Sequence, residues 1–325
     1  MRSAFVALLC LAVVSPLVAE PRRAPFAPQP ELNLTFVPND SPAALKAFAS
    51  ARAALKHSAG GVGAAAIADN RSARLILIPV VGNAPASGGT HYRSDITFVN
   101  WNVSSQRVQF IYMPSGNPGG TIIATGTLPG DRPPFTIIDF VGSQLQATGI
   151  GGLLILPVDA ADDFDDSAAI DAHSRIYTNA PQPNTTRGTV SMQFPGIDPS
   201  HLQGEYEAVV LGLRQDADFR TNVGIVNLES FPITFSVLMV PESAPPGTQL
   251  TEVSITVQAL SMIQQALPAD RPGPFNLIVG VEQDIPNDDQ WWTTYAASVD
   301  NYTHDGWVAI GATILDDEGL DDRGF

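Results

Sequence analysis

A chain of 325 residues with 44% hydrophobic and only 15% charged side chains is long enough for about two domains, each burying its own core. Its net charge of −16, from 33 acidic against 17 basic residues, argues against a nucleic-acid or anionic-membrane partner, since those need basic patches. A single cysteine excludes a disulfide framework, and 27 Gly with 27 Pro point to many short strands joined by turns.

Residues 1–19 read as a signal peptide. Arg2 supplies a thin positive start, Ala4 to Val18 form an apolar run, and Leu17-Val18-Ala19 offers a cleavage site before Glu20. The run falls short of the about 20 residues that span a bilayer, and no later segment approaches that length. The expectation is a secreted or periplasmic protein without a membrane span in the mature chain. Cleavage removes Cys10 and Arg2, leaving a charge of −17. Lysine occurs only at 46 and 56 while arginine is common, a bias in keeping with a bacterial source.

Residues 20–73 read as a Pro-rich leader with one short helix. Ser41 is placed to cap it, Pro42 suits its first turn, Ala43 to His57 form its body, and Gly60-Gly61 end it. From Arg74 the pattern changes to strand-length apolar runs such as Leu75 to Val81.

An internal repeat then organises the chain. Tyr92-Arg93-Ser94-Asp95-Ile96-Thr97-Phe98-Val99-Asn100 lies over Phe219-Arg220-Thr221-Asn222-Val223-Gly224-Ile225-Val226-Asn227 without a gap, an offset of 127 (219 minus 92). The match continues from Val108–Pro114 onto Phe235–Pro241. Side chains alternate along a strand, so Ser94, Ile96 and Phe98 should line one face with Tyr92, as should Thr221, Val223 and Ile225 with Phe219. Val108, Phe110 and Tyr112, and likewise Phe235, Val237 and Met239, are the next core set. A third block sets Leu153–Val158, an acidic loop and Ser174–Tyr177 over Leu277–Val281, an acidic loop and Ser298–Asn301. About seven short strands per copy predict an all-β chain of two tandem immunoglobulin-like β-sandwich domains, 74–180 and 206–315. A linker at 181–205 and an acidic tail at 316–325 complete the layout.

The strand running from an aromatic residue through Arg, Ser/Thr and Asp/Asn to Val-Asn, as in Phe219–Asn227, resembles a repeat of uncharacterised secreted bacterial proteins. Those are similar to tandem immunoglobulin-like or fibronectin-like sandwiches. The resemblance covers roughly 74–315, implies the fold, and brings no activity with it.

Candidate site residues follow from the repeat and from composition. Arg93 and Arg220 occupy one position in both copies, two residues before Asp95 and Asn222, and form a candidate ligand-facing pair; the alternative is bonding to loop carbonyls or a neighbouring strand. Asp159, Asp162, Asp163, Asp165 and Asp166 crowd one hairpin tip, and Glu282, Asp284, Asp288 and Asp289 the matching one. Calcium, which takes six to eight oxygens, is the cofactor such a loop suggests, although EF-hand spacing is absent and a solvated acidic loop is the alternative. Trp291 and Trp292 are neighbours on a strand, so one is expected in the core and the other at the surface, able to stack on a sugar or to pack between domains. The five histidines form no metal or catalytic pattern, and no nucleophile elbow or phosphate loop occurs. The leading expectation is an exported non-enzymatic module for structure, adhesion or binding of a protein or glycan at the cell surface. A secreted carboxylate-dependent hydrolase and a calcium-binding envelope assembly component are the alternatives.

Overall fold

The computed structural model describes residues 31–59, 75–85, 91–117, 119–131, 133–179, 189–197, 207–242, 245, 249–269, 273–282 and 290–313. The signal segment, Gly60-Gly61 and the acidic tail lie outside these residues. The chain enters through β1 (Thr35–Val37) and α1 (Pro42–Ala59). Ser41 caps the helix as expected, its Oγ accepting from the Ala44 N–H at 3.2 Å. A first set of strands follows: β2 (Ile76–Pro85), β3 (His91–Asn100), β4 (Gln106–Pro114), β5 (Ile122–Leu128) and β6 (Phe135–Ile137). After the short helix α2 (Phe140–Ser143) come β7 (Gly149–Pro157), β8 (Ile170–Asn179) and β9 (Thr189–Pro195). The second set is β10 (Ala208–Gln215), β11 (Phe219–Asn227), β12 (Ile233–Pro241), β13 (Thr251–Val257), β14 (Ser261–Ala266), β15 (Gly273–Val281), β16 (Trp292–Asp300) and β17 (Gly306–Ile310), with β18 (Ala312–Thr313) at the end.

The fold is all-β and antiparallel, and the strand order repeats. The second half forms sheets β13-β12-β15-β10 and β14-β11-β16-β17, with β18 added at the edge. The first half runs β5-β4-β7-β2 and β6-β3-β8-β9, position for position the same order. There the two sheets join, because residues 83–85 of β2 pair with the start of β3 before β6 takes over that edge. Each half therefore has eight equivalent strands, one more than the spacing of apolar runs suggests. An immunoglobulin sandwich sets its first strand beside its second; here β10 lies beside β15, and most of β2 beside β7.

Local details recur at the same places. β2 and β10 both break register against their partner, between Ile78 and Val81 and between Val210 and Leu213. Asn100 and Asn227, both buried, end equivalent strands and tie the following loop down. The Asn100 amide donates toward the carbonyls of Ser104, Leu128 and Pro129 at 3.0, 3.4 and 3.3 Å, while its Oδ1 accepts from the Asn102 N–H. Asn227 does the same with Phe231, Val257, Gln258 and the Glu229 N–H. The alternation expected for the core holds: Ser94, Ile96, Phe98, Thr221, Val223 and Ile225 are buried, as are all six residues expected on β4 and β12. Tyr92 and Phe219 are half-buried. The third block needs a shift. Ile96 pairs with Ser174 and its equivalent Val223 with Ala296, so Ser174 corresponds to Ala296 rather than Ser298.

Two of the expected flanking segments take part in the packing. Of residues 20–73, read as a Pro-rich leader with one short helix, the described part packs on the sheet: β1 adds to the edge of β5, and Leu32 is buried. Helix α1 turns Ala44, Ala47, Ala51 and Ala54 inward at helical spacing, joining the first core. The expected linker contains β9, which pairs along β8 and buries Phe194 against Tyr295 with ring centroids 5.3 Å apart; the remainder of that linker lies outside the described residues.

The halves meet through a seam of sheet on sheet. Val226, Leu228, Met262, Trp291 and Tyr295 of the second half belong to the first half's core cluster. Ser115 and Met262 form a bridge across the seam, and the Ser261 hydroxyl donates to the Pro114 carbonyl at 3.2 Å. Tyr295 lies against Gly224, where an added Cβ would come within 2.1 Å of its ring.

Two outcomes test this arrangement by chemical and thermal unfolding. Asn100→Ala and Asn227→Ala each strip several buried groups of a partner, so each destabilises by on the order of 2–3 kcal/mol. Gly224→Ala drives a methyl into the Tyr295 ring and costs about 1–3 kcal/mol, the usual range for overpacking a core.

Candidate functional site

A constellation of charged and aromatic side chains sits on the outer face of β3 and β8. Their register sets Arg93 opposite Tyr177 and Asp95 opposite Arg175. With Ser94, Ile96, Ser174 and Ile176 turned into the core, alternation delivers these four side chains to the other face. Helix α2 supplies a fifth. Asp139 precedes it in the left-handed region, φ 51 and ψ 50, and its Oδ1 accepts from the Gly142 N–H. Its own N–H donates to Asp95 Oδ1 at 3.1 Å.

Asp95 is the centre of this network. Its side chain is 13% exposed, Tyr177 lies beside it, and Arg175 Nη1 stands 3.9 Å from its Oδ2. Burial raises its carboxyl above the ordinary value, and the nearby Asp139 N–H and Arg175 act against that shift. Burial and the Asp95 charge together raise the Tyr177 phenol. Arg175 also reaches Thr189 Oγ1 at 3.0 Å and lies over the Tyr177 ring at 5.1 Å. Arg93 approaches Asp139 at 3.7 Å. Both guanidinium groups are thus held by long, part-exposed contacts and keep donors for another partner. His91 meets Asn83 at the rim. The arrangement presents an aromatic ring, two planar cations and buried-edge acceptors; chemically it can hold a polar ligand.

The second half lacks this constellation. Arg220 matches Arg93 in position but donates to Asn301 Oδ1 at 2.9 Å, a loop-bracing contact. The equivalents of Asp95, Arg175 and Tyr177 are Asn222, Ala297 and Val299, by the same register. The repeated arginines therefore do not form a repeated pair of sites.

Both tryptophans named above are buried, Trp291 at 6% and Trp292 at 0% exposure, so the expected surface Trp is not among them. Trp292 fills the core between the two sheets of the second half against Phe235, with centroids 4.9 Å apart. Trp291 faces the other way, as alternation requires, but that direction is the seam. The exposed tryptophans are Trp101, at 60%, on the loop held by Asn100, and Trp307 of β17, at 37%.

The acidic tip is engaged by the protein itself. Lys46 of α1 pairs with Asp163 at 3.0 Å, Arg107 with Asp162 at 2.7 Å, and Asp159 Oδ1 accepts from the N–H groups of Ala161 and Asp163. Asp165 accepts from Ser167 and Gln106, which lower its carboxyl below the ordinary range. No three carboxylate, His or Cys groups among the described residues gather as a metal site. The loop holding Asp159, Asp162, Asp163, Asp165 and Asp166 meets α1 through Asp163 and through the Asp162 carbonyl, which accepts from the Ser50 hydroxyl at 3.1 Å. Of the second cluster only Glu282 is described; Asp284, Asp288 and Asp289 lie outside the described residues. No helix among the described residues is long and apolar enough to cross a membrane.

Sequence reasoning found Arg93 and Asp95 but missed Arg175, Tyr177 and Asp139. The alternation Ser-Arg-Ile-Tyr at 174–177 carries the signal for two of them, since Ile inward forces Arg and Tyr outward together. The raised carboxyl gives the network a pH signature. A folded-state value above the unfolded one means that Asp95 favours the fold most when protonated, and that this contribution is lost as pH rises through the folded value. Asp95→Asn should therefore gain stability relative to wild type on going from pH 4 to pH 7, measured by thermal unfolding at both. Comparison of the chain with protein-family models, curated proteins and solved structures finds no match.

Proposed function

We propose that this chain is an exported, non-enzymatic protein of the cell surface or periplasm, built from two tandem β-sandwich units, that binds a glycan bearing acidic groups. The units are immunoglobulin-like in being two-sheet antiparallel sandwiches, although their strand order differs. The observation that carries the binding reading is the contrast between equivalent faces. In the second half the outer face of β11 and β16 carries Gly224, Val226, Tyr295 and Ala297 and is buried in the seam. In the first half the same face carries Arg93, Asp95, Arg175 and Tyr177, charged and half-open.

The chemistry favours a glycan over a protein partner. A stable protein interface needs about 800 Å² per side around an apolar centre, and this face offers little apolar surface beyond Tyr177. A tyrosine ring beside arginine forks suits a sugar ring carrying carboxylates, the ring stacking and the guanidinium groups taking the acid. Two arginines beside Asp95 and Asp139 also keep this face near balance in a chain of net charge −16, so an acidic ligand meets less repulsion here.

Isothermal titration with neutral and uronic-acid oligosaccharides tests this. Saturable binding of the acidic series is expected, weakened at least tenfold in Arg175→Ala and Tyr177→Ala and reduced by salt. Absence of binding, or binding unchanged in both variants, would sink the reading.

A further inference from the structure

Helix α1, the first half and the second half line a part-open cavity of about 170 Å³ where they meet. Stretches of chain far apart in sequence supply its apolar wall, among them Phe48 and Leu55 from α1, Ile111 and Met113 from β4, Leu228 after β11, and Trp291 just before β16. Apart from Ser230 at its edge, its polar side is one ion pair. Arg52 Nη2 stands 3.5 Å from Glu229 Oε2, and Glu229 Oε1 accepts the Trp291 backbone N–H at 3.0 Å. The Glu229 side chain is 2% exposed.

These features define what would fit. The apolar lining of such a space lacks contacts on one side, and an apolar occupant restores them. An engineered apolar cavity of about 150 Å³ in another protein stays dry and takes up benzene, so the space here matches one aromatic ring with a small substituent. Buried Glu229 is balanced by Arg52, whose side chain is 48% exposed, so the pair offers a ligand no net charge, and a charged ligand would lose hydration without an unpaired counter-ion. The flanking rings of Phe48 and Trp291 suit a flat partner. We propose that the seam cavity is a binding site for a small, uncharged aromatic molecule, separate from the polar face of β3 and β8. Its occupant contacts the helix and both halves at once, so binding stabilises their assembly as a unit.

The test uses the full chain with toluene, indole and benzoate as probes, followed by thermal unfolding and by calorimetric titration. Toluene or indole should bind saturably and raise the unfolding temperature, with benzoate at least tenfold weaker. Ala51→Leu, which fills the cavity from the helix side, should abolish the shift. Should that variant fail to fold, Trp291→Phe gives a second check, since the change in tryptophan fluorescence on indole-free toluene binding should vanish with it. Tyr177→Ala should leave aromatic binding unchanged, which separates this site from the glycan face. Failure of wild type to bind either neutral probe, or benzoate binding as tightly as toluene, overturns the proposal.

Discussion

Tyr295 rests on Gly224, and most of the architecture depends on the space that this glycine leaves. The ring is fully buried, its hydroxyl hydrogen-bonds to Gln264 at 2.8 Å, and its edge meets Phe194 from the other half. A side chain at 224 would hold the two halves apart. With it absent, the outer face of β14, β11 and β16 stacks on β4, β7 and β2 and joins the two halves sheet on sheet. Burial of a large apolar side chain is worth about 2–3 kcal/mol, so the five second-half residues in the first core contribute on the order of 10 kcal/mol. The part-exposed ion pairs of α1 contribute about 0–1 kcal/mol each. Apolar stacking, rather than charge, holds the molecule together.

That stacking dictates where polar chemistry can survive. Faces inside the seam must be apolar or small, and β11 and β16 comply. The equivalent face of the first half is the outermost layer, where charge is cheap because water still reaches it. Asp95 sits at the boundary of these regimes: covered enough for its carboxyl to be raised, close enough to Arg175 and Tyr177 to remain partnered. The same logic explains the acidic loop. In a chain of net charge −16, carboxylates near the fold's edge need local cations, and Lys46 and Arg107 supply them. The acidic loop also receives α1, through Lys46 on Asp163 and Ser50 on the Asp162 carbonyl, and that helix in turn lines the seam.

Assembly from equivalent halves also creates the cavity. Two sheet faces that evolved to pack can match closely along their centre, yet the margin must be sealed by something else. Here the loop after Asn227 and helix α1 meet over that margin. The equivalent loop after Asn100 has no such cover and shows Trp101 and Val103 to solvent. One motif thus has two fates, decided by what lies beside it.

Local pattern was enough to determine much of this protein. The alternation in Tyr92–Phe98 and Phe219–Ile225, the repeated Val-Asn ends and the Ser41 cap specify strands, inward faces and a helix, because each depends on near neighbours along the chain. Even the seam left a trace: Leu153-Leu154-Ile155-Leu156 is apolar on both faces, as a strand covered on both sides must be, whereas Leu277-Ile278-Val279-Gly280 serves an outer sheet. Only the tertiary structure decided which partner covers that second face, that Trp291 lies in the seam rather than in water, that Asp139 joins Asp95, and that Lys46 answers Asp163. Each of these joins residues many positions apart, and a period-two pattern tells which way a side chain points but carries no information about what waits there.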